Sequence, residues 1–337
     1  MAPDGALPLV TVVIPTRNRR ELLLRTLHGV RGQRGVGLEV VVVDEASSDG
    51  TAAAIAALGD PRISVLRHDV PQGVARARNA GIRAARGQWL AFTDDDDVWS
   101  PNKLSAQLAS LRTFPEARWA CSGAVWVFDG LRLGRPEPVP PSGDIAAGML
   151  TGNLVPGGAS GVLAQSELVR DVGGFDPAFS TLADWDLWTR LALRSPVATV
   201  DRPHVGYYIH PGSMAHDVAR GQRELEVLLD KFAEDRRLRS VVVNGTELLW
   251  YFGAWYLRQG DRSSATLAHL RLARSPGAPR ARALVAAVGG AAWPGAQHFR
   301  DRRGARRLSP EWRAEAEAWL AELRMCHPAQ ATPPGKR

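Results

Sequence analysis

The 337-residue chain predicts an α/β protein: a mostly parallel sheet with helices on both faces, followed by a C-terminal helical region. Three observations carry that class. Short apolar runs recur through the first hundred residues, with helical spacing between them. The runs are apolar throughout rather than alternating, as strands buried on both faces must be. Acids or a proline close three of them, at the strand ends where α/β sheets bind ligands.

In order, residues 9–14 form a β-branched run closed by Pro15, and residues 19–30 carry helical spacing. Residues 38–43 are a second strand ending at Asp44; Ser47-Ser48-Asp49-Gly50 then turns the chain into an alanine-rich helix from Thr51. A third short strand spans 63–66, a helix 73–85 and a fourth strand 89–92. Pro101 opens a helix over 101–114. Residues 119–128 read as a strand, 135–143 as a proline-rich loop, and 153–163 as a glycine-rich irregular segment before another strand. A compact helix covers 184–193 and a strand 197–209. After His216 only amphipathic helices follow, such as 223–232 and 247–258, and the segments 248–256 and 264–272 suggest a helical hairpin. The expected organisation is a main α/β domain over 1–216, an α-helical region over 217–327 and a disordered tail over 328–337.

Apolar residues make up 45% of the chain, enough for a substantial core. Cys121 and Cys326 follow no metal-ligand spacing, which points to a reducing compartment without a disulfide framework. The N-terminus lacks a basic stretch followed by an apolar core, and the longest apolar stretch, 283–293, is about half a membrane span. A cytoplasmic protein is expected. The net charge of +7 is uneven: residues 1–215 hold 21 Lys/Arg against 22 Asp/Glu, and residues 216–337 hold 21 against 13. The basic surplus fits a solvated arginine-rich surface, an acidic polymer or an anionic membrane face. No paired Cys/His or aromatic-glycine string supports nucleic acid.

Four consecutive carboxylates, Asp94-Asp95-Asp96-Asp97, follow the fourth strand directly. Packed like charges repel, and a cation is what neutralises them. Short oxygen ligands suit Mg²⁺ or Mn²⁺, and such an ion grips a diphosphate. The plain alternative is a cap for the helix after Pro101. Asp44 either caps the next helix or accepts a hydrogen bond from a nucleobase N–H or a ribose hydroxyl.

Taken together, these strings resemble the inverting glycosyltransferases of family 2, which have the GT-A fold. Four ordered motifs carry the resemblance: Val12-Val13-Ile14-Pro15-Thr16-Arg17-Asn18, Val43-Asp44-Glu45-Ala46-Ser47-Ser48-Asp49-Gly50-Thr51, Gly73-Val74-Ala75-Arg76-Ala77-Arg78-Asn79-Ala80-Gly81 and Phe92-Thr93-Asp94-Asp95-Asp96-Asp97. It extends over residues 9–216 and makes 1–216 the expected catalytic domain. It implies that Pro15, Thr16, Arg17 and Asp44 meet the nucleotide and that Arg78 lies near the diphosphate. Asp94 faces the ribose with Asp95 beside it, and Asp96 coordinates the metal. Downstream, Gly173-Gly174-Phe175-Asp176 and Asp184-Trp185-Asp186-Leu187-Trp188-Thr189-Arg190-Leu191 are similar to the acceptor segment, whose catalytic base falls on Asp184. Tyr207-Tyr208-Ile209-His210-Pro211-Gly212-Ser213-Met214 is similar to the closing motif, whose histidine, here His210, sits near the metal and diphosphate. The chain departs from the pattern at Ala183, where glutamate is usual, and at Glu45-Ala46, where Asp-Gly is commoner.

The expected activity is a metal-dependent inverting glycosyl transfer with Mn²⁺ or Mg²⁺, from a nucleotide-diphosphate sugar, UDP first, to a glycan, lipid-linked or small-molecule hydroxyl. The C-terminal helices would position the acceptor, hold a surface or form an oligomer. Arg76 and Arg78, two apart on a helix, cannot share a face, and Arg78 is the one expected inward. Trp99 and Trp185 either stack on an acceptor sugar or pack in the core. A dinucleotide oxidoreductase needs a glycine-rich turn after the first strand, where Pro15-Thr16-Arg17-Asn18 stands instead. A nucleotidyltransferase lacks its phosphate loop at the same place. The remaining alternative is a nucleotide-sugar and metal-binding protein impaired in chemistry, suggested by Ala183.

Overall fold

The computed structural model describes residues 9–210, 217–243, 261–274 and 307–326, with positions 249, 252, 253, 256, 257, 283, 284, 286 and 287. The helix expected over 247–258 and the hairpin using 248–256 lie largely outside the described residues. The closing segment 211–214, His216 and the tail 328–337 lie outside them altogether.

The first half alternates as the apolar runs require: β1 (Val10–Thr16), α1 (Arg20–Arg31), β2 (Leu38–Glu45), α2 (Thr51–Ala57), β3 (Ile63–His68), α3 (Val74–Ala84) and β4 (Trp89–Phe92). There follow β5 (Val98–Trp99), α4 (Lys103–Thr113), β6 (Trp119–Phe128), β7 (Arg132–Glu137), α5 (Ala146–Met149), β8 (Val162–Gln165), α6 (Ser166–Asp171), α7 (Ala183–Ala192) and β9 (Val197–Tyr208). The C-terminal third contributes α8 (Val218–Lys231), α9 (Ala233–Leu238), α10 (Arg262–Arg274) and α11 (Pro310–Cys326).

The sheet runs β3-β2-β1-β4-β8-β6-β9-β5, with β7 paired to β6. Its first four strands are parallel, as expected. The rest is mixed: β8 runs antiparallel to both β4 and β6, whereas β6 and β9 are parallel. A glycine-rich loop at the end where β4 finishes feeds β8, so β8 must run back in the opposite sense. Two short strands escaped the sequence reading. β5 is only two residues long, and β7 takes the start of the proline-rich stretch as an outer strand, where missing N–H groups are tolerated.

Side-chain alternation splits the core between the sheet faces. Val10, Val12 and Ile14 pack with Leu23 and Leu27 of α1, while Val13, Leu90 and Phe92 face Trp188 of α7. Helix α8 joins one of these cores, and α11 builds a third on the sheet. Leu225, Leu228 and Phe232 of α8 belong to the Trp188 cluster, and Trp312, Ala316, Trp319, Leu320 and Leu323 of α11 cover Val125 and Val127 of β6. That i, i+4, i+7, i+8, i+11 stripe is one helix face. Among the described residues, no helix is long and apolar enough to cross a membrane.

Helix α8 also braces the segment entering α7. The Glu224 carboxylate accepts the Ser180 and Leu182 N–H groups at 2.9 and 2.8 Å, and Lys231 Nζ lies 2.6 Å from the buried Asp186 Oδ1. Replacing Glu224 with alanine leaves both N–H groups without their acceptor. We expect a loss of about 1–3 kcal/mol in urea denaturation, and an unchanged midpoint would contradict it.

Candidate active site

The ends of β1, β2 and β4 open onto a cavity of about 780 Å³. Thr16 ends β1, Glu45 ends β2, and Asp94, Asp95 and Asp96 follow β4; all five line it. The opposite wall comes from segment 151–159, from Ser180 to Leu182, and from Asp184 and Trp185 of α7. Parallel strands all point their carboxyl ends the same way, so acids distant in sequence reach one hollow.

Nearly all of the expected nucleotide residues are there. Pro15, Thr16 and the exposed Arg17 line the cavity, and Thr16 Oγ1 donates to Asp95 Oδ2 at 2.7 Å. Arg78 is buried on α3, ion-paired to Asp94, with its guanidinium 4.9 Å from the Phe175 ring centre. Arg76 is exposed, the split that their two-residue spacing requires. Asp44 differs from expectation. It is fully buried, held by the Arg67 guanidinium and the Ser47 N–H, and is not among the cavity-lining residues. Its neighbour Glu45 takes that place, because alternation along β2 turns adjacent side chains to opposite sides. Glu45 pairs with His68 and accepts the Gln72 and Gly73 N–H groups, both at 2.7 Å.

The next residue, Ala46, has φ of 57°. That left-handed conformation suits glycine and costs an L-residue about 1–2 kcal/mol, which accounts for the glycine commonly found there. Ala46→Gly should therefore raise stability by about 1 kcal/mol or slightly less once glycine's extra unfolded-state entropy is counted. A thermal melt showing no gain would contradict this.

The tetrad divides into separate jobs. Asp97 is structural: fully buried, it accepts Ser160 Oγ at 2.5 Å and the Tyr208 N–H at 2.9 Å, and burial pushes its carboxyl well up. Asp95 and Asp96 share Arg19, whose Nη1 lies 3.0 Å from Asp95 Oδ1 and 2.8 Å from Asp96 Oδ2. Burial first, and then Asp96 beside it, push Asp95 up to about 7. His210 Nε2 meets the same Asp96 Oδ2 at 2.9 Å, and its ring stacks on Tyr208. Among the described residues, no group of three His, Cys, Asp or Glu side chains could hold a metal ion by itself. Asp96 and His210 could supply two ligands to a divalent cation, with water or phosphate oxygens supplying the rest.

Asp184 is the second residue of α7 and half-buried. Its Oδ1 accepts the Trp185 N–H at 2.8 Å and its Oδ2 accepts Asn153 Nδ2 at 3.3 Å. Burial raises its carboxyl from the ordinary 3.8 to about 6; Asp94 adds to the rise, while the Trp185 N–H and Arg78 oppose it. A side chain at Gly158, whose φ is +54°, would begin 3.5 Å from Asp184 Oδ2. The glycine leaves the carboxylate open to the cavity. Ala183 is fully buried in the core, so a glutamate in its place would have to find room among packed apolar groups. Trp99 is a core residue with Lys103 Nζ 4.0 Å from its ring centre, whereas Trp185, though buried, also lines the cavity.

Sequence reasoning missed Arg19 and Asn153. The available signal for Arg19 was its place: a long cation three residues beyond the end of β1 can reach the acids beyond β4. Asn153 carried no signal, since only the folded loop brings it to Asp184.

Residues 11–135 match the family model for Glycosyl transferase family 2. The succinoglycan biosynthesis protein ExoO of Rhizobium meliloti is 44% identical over 97 residues, 29% of this chain and 28% of ExoO. The Escherichia coli UDP-Glc:α-D-GlcNAc-diphosphoundecaprenol β-1,3-glucosyltransferase WfgD is 33% identical over 103 residues, 31% of this chain and 41% of its own length. The match to the Mycobacterium tuberculosis protein MT1568 is longer, at 33% identity over 276 residues, 75% of this chain and 84% of that protein. Two solved structures share the fold. Staphylococcus aureus TarS 1-349 in complex with UDP-GlcNAc has a TM-score of 0.52 at 14% identity, covering 96% of this chain and 81% of that one. The Pyrobaculum calidifontis mannosyltransferase PcManGT in complex with GDP-Man and Mn²⁺ has a TM-score of 0.51 at 20% identity, covering 96% and 88%. Ordered motifs, strand-end acids gathered on one cavity, and relatives matched along most of the chain agree: it belongs to glycosyltransferase family 2 and has the GT-A fold.

Proposed function

We propose that the chain is a metal-dependent inverting glycosyltransferase that moves a sugar from a nucleotide-diphosphate donor, a UDP-sugar, to an acceptor hydroxyl. One observation carries the reading: Asp184 lines the same cavity as Asp94 and Asp96, so the proposed base and diphosphate site face one space. Asp96 and His210 would hold the divalent cation, Mn²⁺ or Mg²⁺. Bound there, the cation supplies Lewis-acid charge to the departing diphosphate. Arg78, buried beside Asp94, adds fixed positive charge at that end. Asp184 accepts the acceptor's proton as its oxygen bonds to the anomeric carbon. The bond from that carbon to the phosphate oxygen breaks on the opposite side, and its electron pair leaves with the diphosphate. A single displacement inverts the centre, turning an α-linked donor into a β-glycoside.

The named substrates of WfgD, and the UDP-GlcNAc bound in TarS, support a UDP-sugar donor; WfgD also supports a lipid-diphosphate-linked acceptor. Such an acceptor fits a cytoplasmic catalytic unit that touches an anionic membrane face through the basic C-terminal third. The catalytic unit extends over 1–216, and the helices after it brace the acceptor side, as Glu224 does for α7. The test is a nucleotide-sugar panel with Mn²⁺, read as nucleoside diphosphate release by donor hydrolysis or in the presence of lipid-diphosphate-linked sugars. Release from one donor class supports the reading. Calorimetric donor binding with no release across a broad acceptor panel would instead favour the impaired binding protein.

A further inference from the structure

Arg19 is a long cation placed where the divalent ion would sit. A single nitrogen, Nη1, spans Asp95 Oδ1 at 3.0 Å and Asp96 Oδ2 at 2.8 Å. The second of those oxygens is also the one that His210 Nε2 meets at 2.9 Å. The backbone of Arg19 is fixed at the start of α1, where its carbonyl accepts the Leu23 N–H at 2.9 Å. Its side chain is partly exposed, 26%, and lines the cavity, so the guanidinium has room to turn from the acids toward a ligand.

We propose that Arg19 is an exchangeable internal counterion: it neutralises Asp95 and Asp96 in the free protein, and moves onto the donor diphosphate when a divalent cation takes Asp96. The inference rests on the donor and metal reading above. A divalent ion on Asp96 Oδ2 and a guanidinium on the same oxygen repel each other at contact distance. Metal alone must therefore displace Arg19 from its partners. A nucleoside diphosphate offers the displaced guanidinium a new anionic partner in a bidentate geometry that arginine forms well. Metal and nucleoside diphosphate then bind cooperatively, and by linkage each strengthens the other by the same factor. In this role Arg19 positions the diphosphate and gates the metal site.

The test measures Mn²⁺ affinity by calorimetry or electron paramagnetic resonance, with and without saturating UDP, in the full-length wild type and in Arg19→Gln. The variant is expected to bind Mn²⁺ without UDP at least about fivefold more tightly, and UDP should then enhance its Mn²⁺ binding by correspondingly less. Equal Mn²⁺ affinity in both proteins, with the UDP enhancement intact, overturns the role of Arg19 and leaves the donor reading standing. No Mn²⁺ binding by either protein, with or without UDP, overturns the metal reading and this inference with it. Arg19→Met, neutral and similarly long, gives the same comparison if the glutamine variant does not fold.

Discussion

Asp184→Asn is expected to lower the rate of sugar transfer by about 10³-fold, within the range that general-base catalysis supplies. The carboxamide keeps the shape of the side chain and can still meet the Trp185 N–H, but it cannot take a proton from a hydroxyl. Donor affinity, which the proposed mechanism assigns to Asp94 to Asp96 and Arg78, should stay within about twofold, because a base that acts only as the bond forms adds little to donor binding. Product release and calorimetry on the same preparation separate the two effects; equal losses of rate and donor binding would make Asp184 structural. The pH profile gives a second check. As a general base Asp184 would work only when ionised, and burial lifts its carboxyl from 3.8 to about 6. Transfer should therefore be nearly full above about pH 7 and fall roughly tenfold per unit below about pH 6. A rate unchanged down to pH 5 would remove Asp184 from the proton transfer.

Asp96→Asn should abolish the metal dependence of donor binding and lower transfer at least about 10²-fold, since the departing diphosphate loses its strongest stabilisation. The fold should survive, because removing one charge relieves the repulsion that raises its neighbour Asp95. The matching substitution at Asp97 behaves differently. Asp97→Asn strikes a buried carboxylate that binds Ser160 and the Tyr208 N–H, so its main cost is stability. Metal titrations monitored by donor binding, alongside melts, distinguish the two. An Asp96 variant that still needs Mn²⁺ at wild-type concentration would place the cation elsewhere.

That contrast marks how much was legible in the chain. The strand-end position of the tetrad followed from a buried run meeting four acids, and periodicity sufficed for the parallel half of the sheet. Which acid faces which way did not follow, because side-chain direction at strand ends depends on the neighbours each one meets. Asp97 turns to Ser160, which lies 63 residues away, and Asp44 turns to Arg67 while Glu45 takes the cavity side. The two-residue strand β5 is defined by its pairing with β9, across more than a hundred residues. Helix geometry required Arg76 and Arg78 to face apart, but did not decide which of them turns inward. Asn153 was not legible, since a loop supplies it and no periodicity governs a loop.

Cation, diphosphate and base are expected to share one cavity. A crystal structure with UDP and Mn²⁺, with the metal placed by its anomalous scattering, tests it most directly. Manganese is expected on Asp96 and His210, next to the diphosphate, with Asp184 facing the open end of that diphosphate. Manganese bound away from Asp96, or UDP lying where no sugar attached to it could reach Asp184, would contradict it.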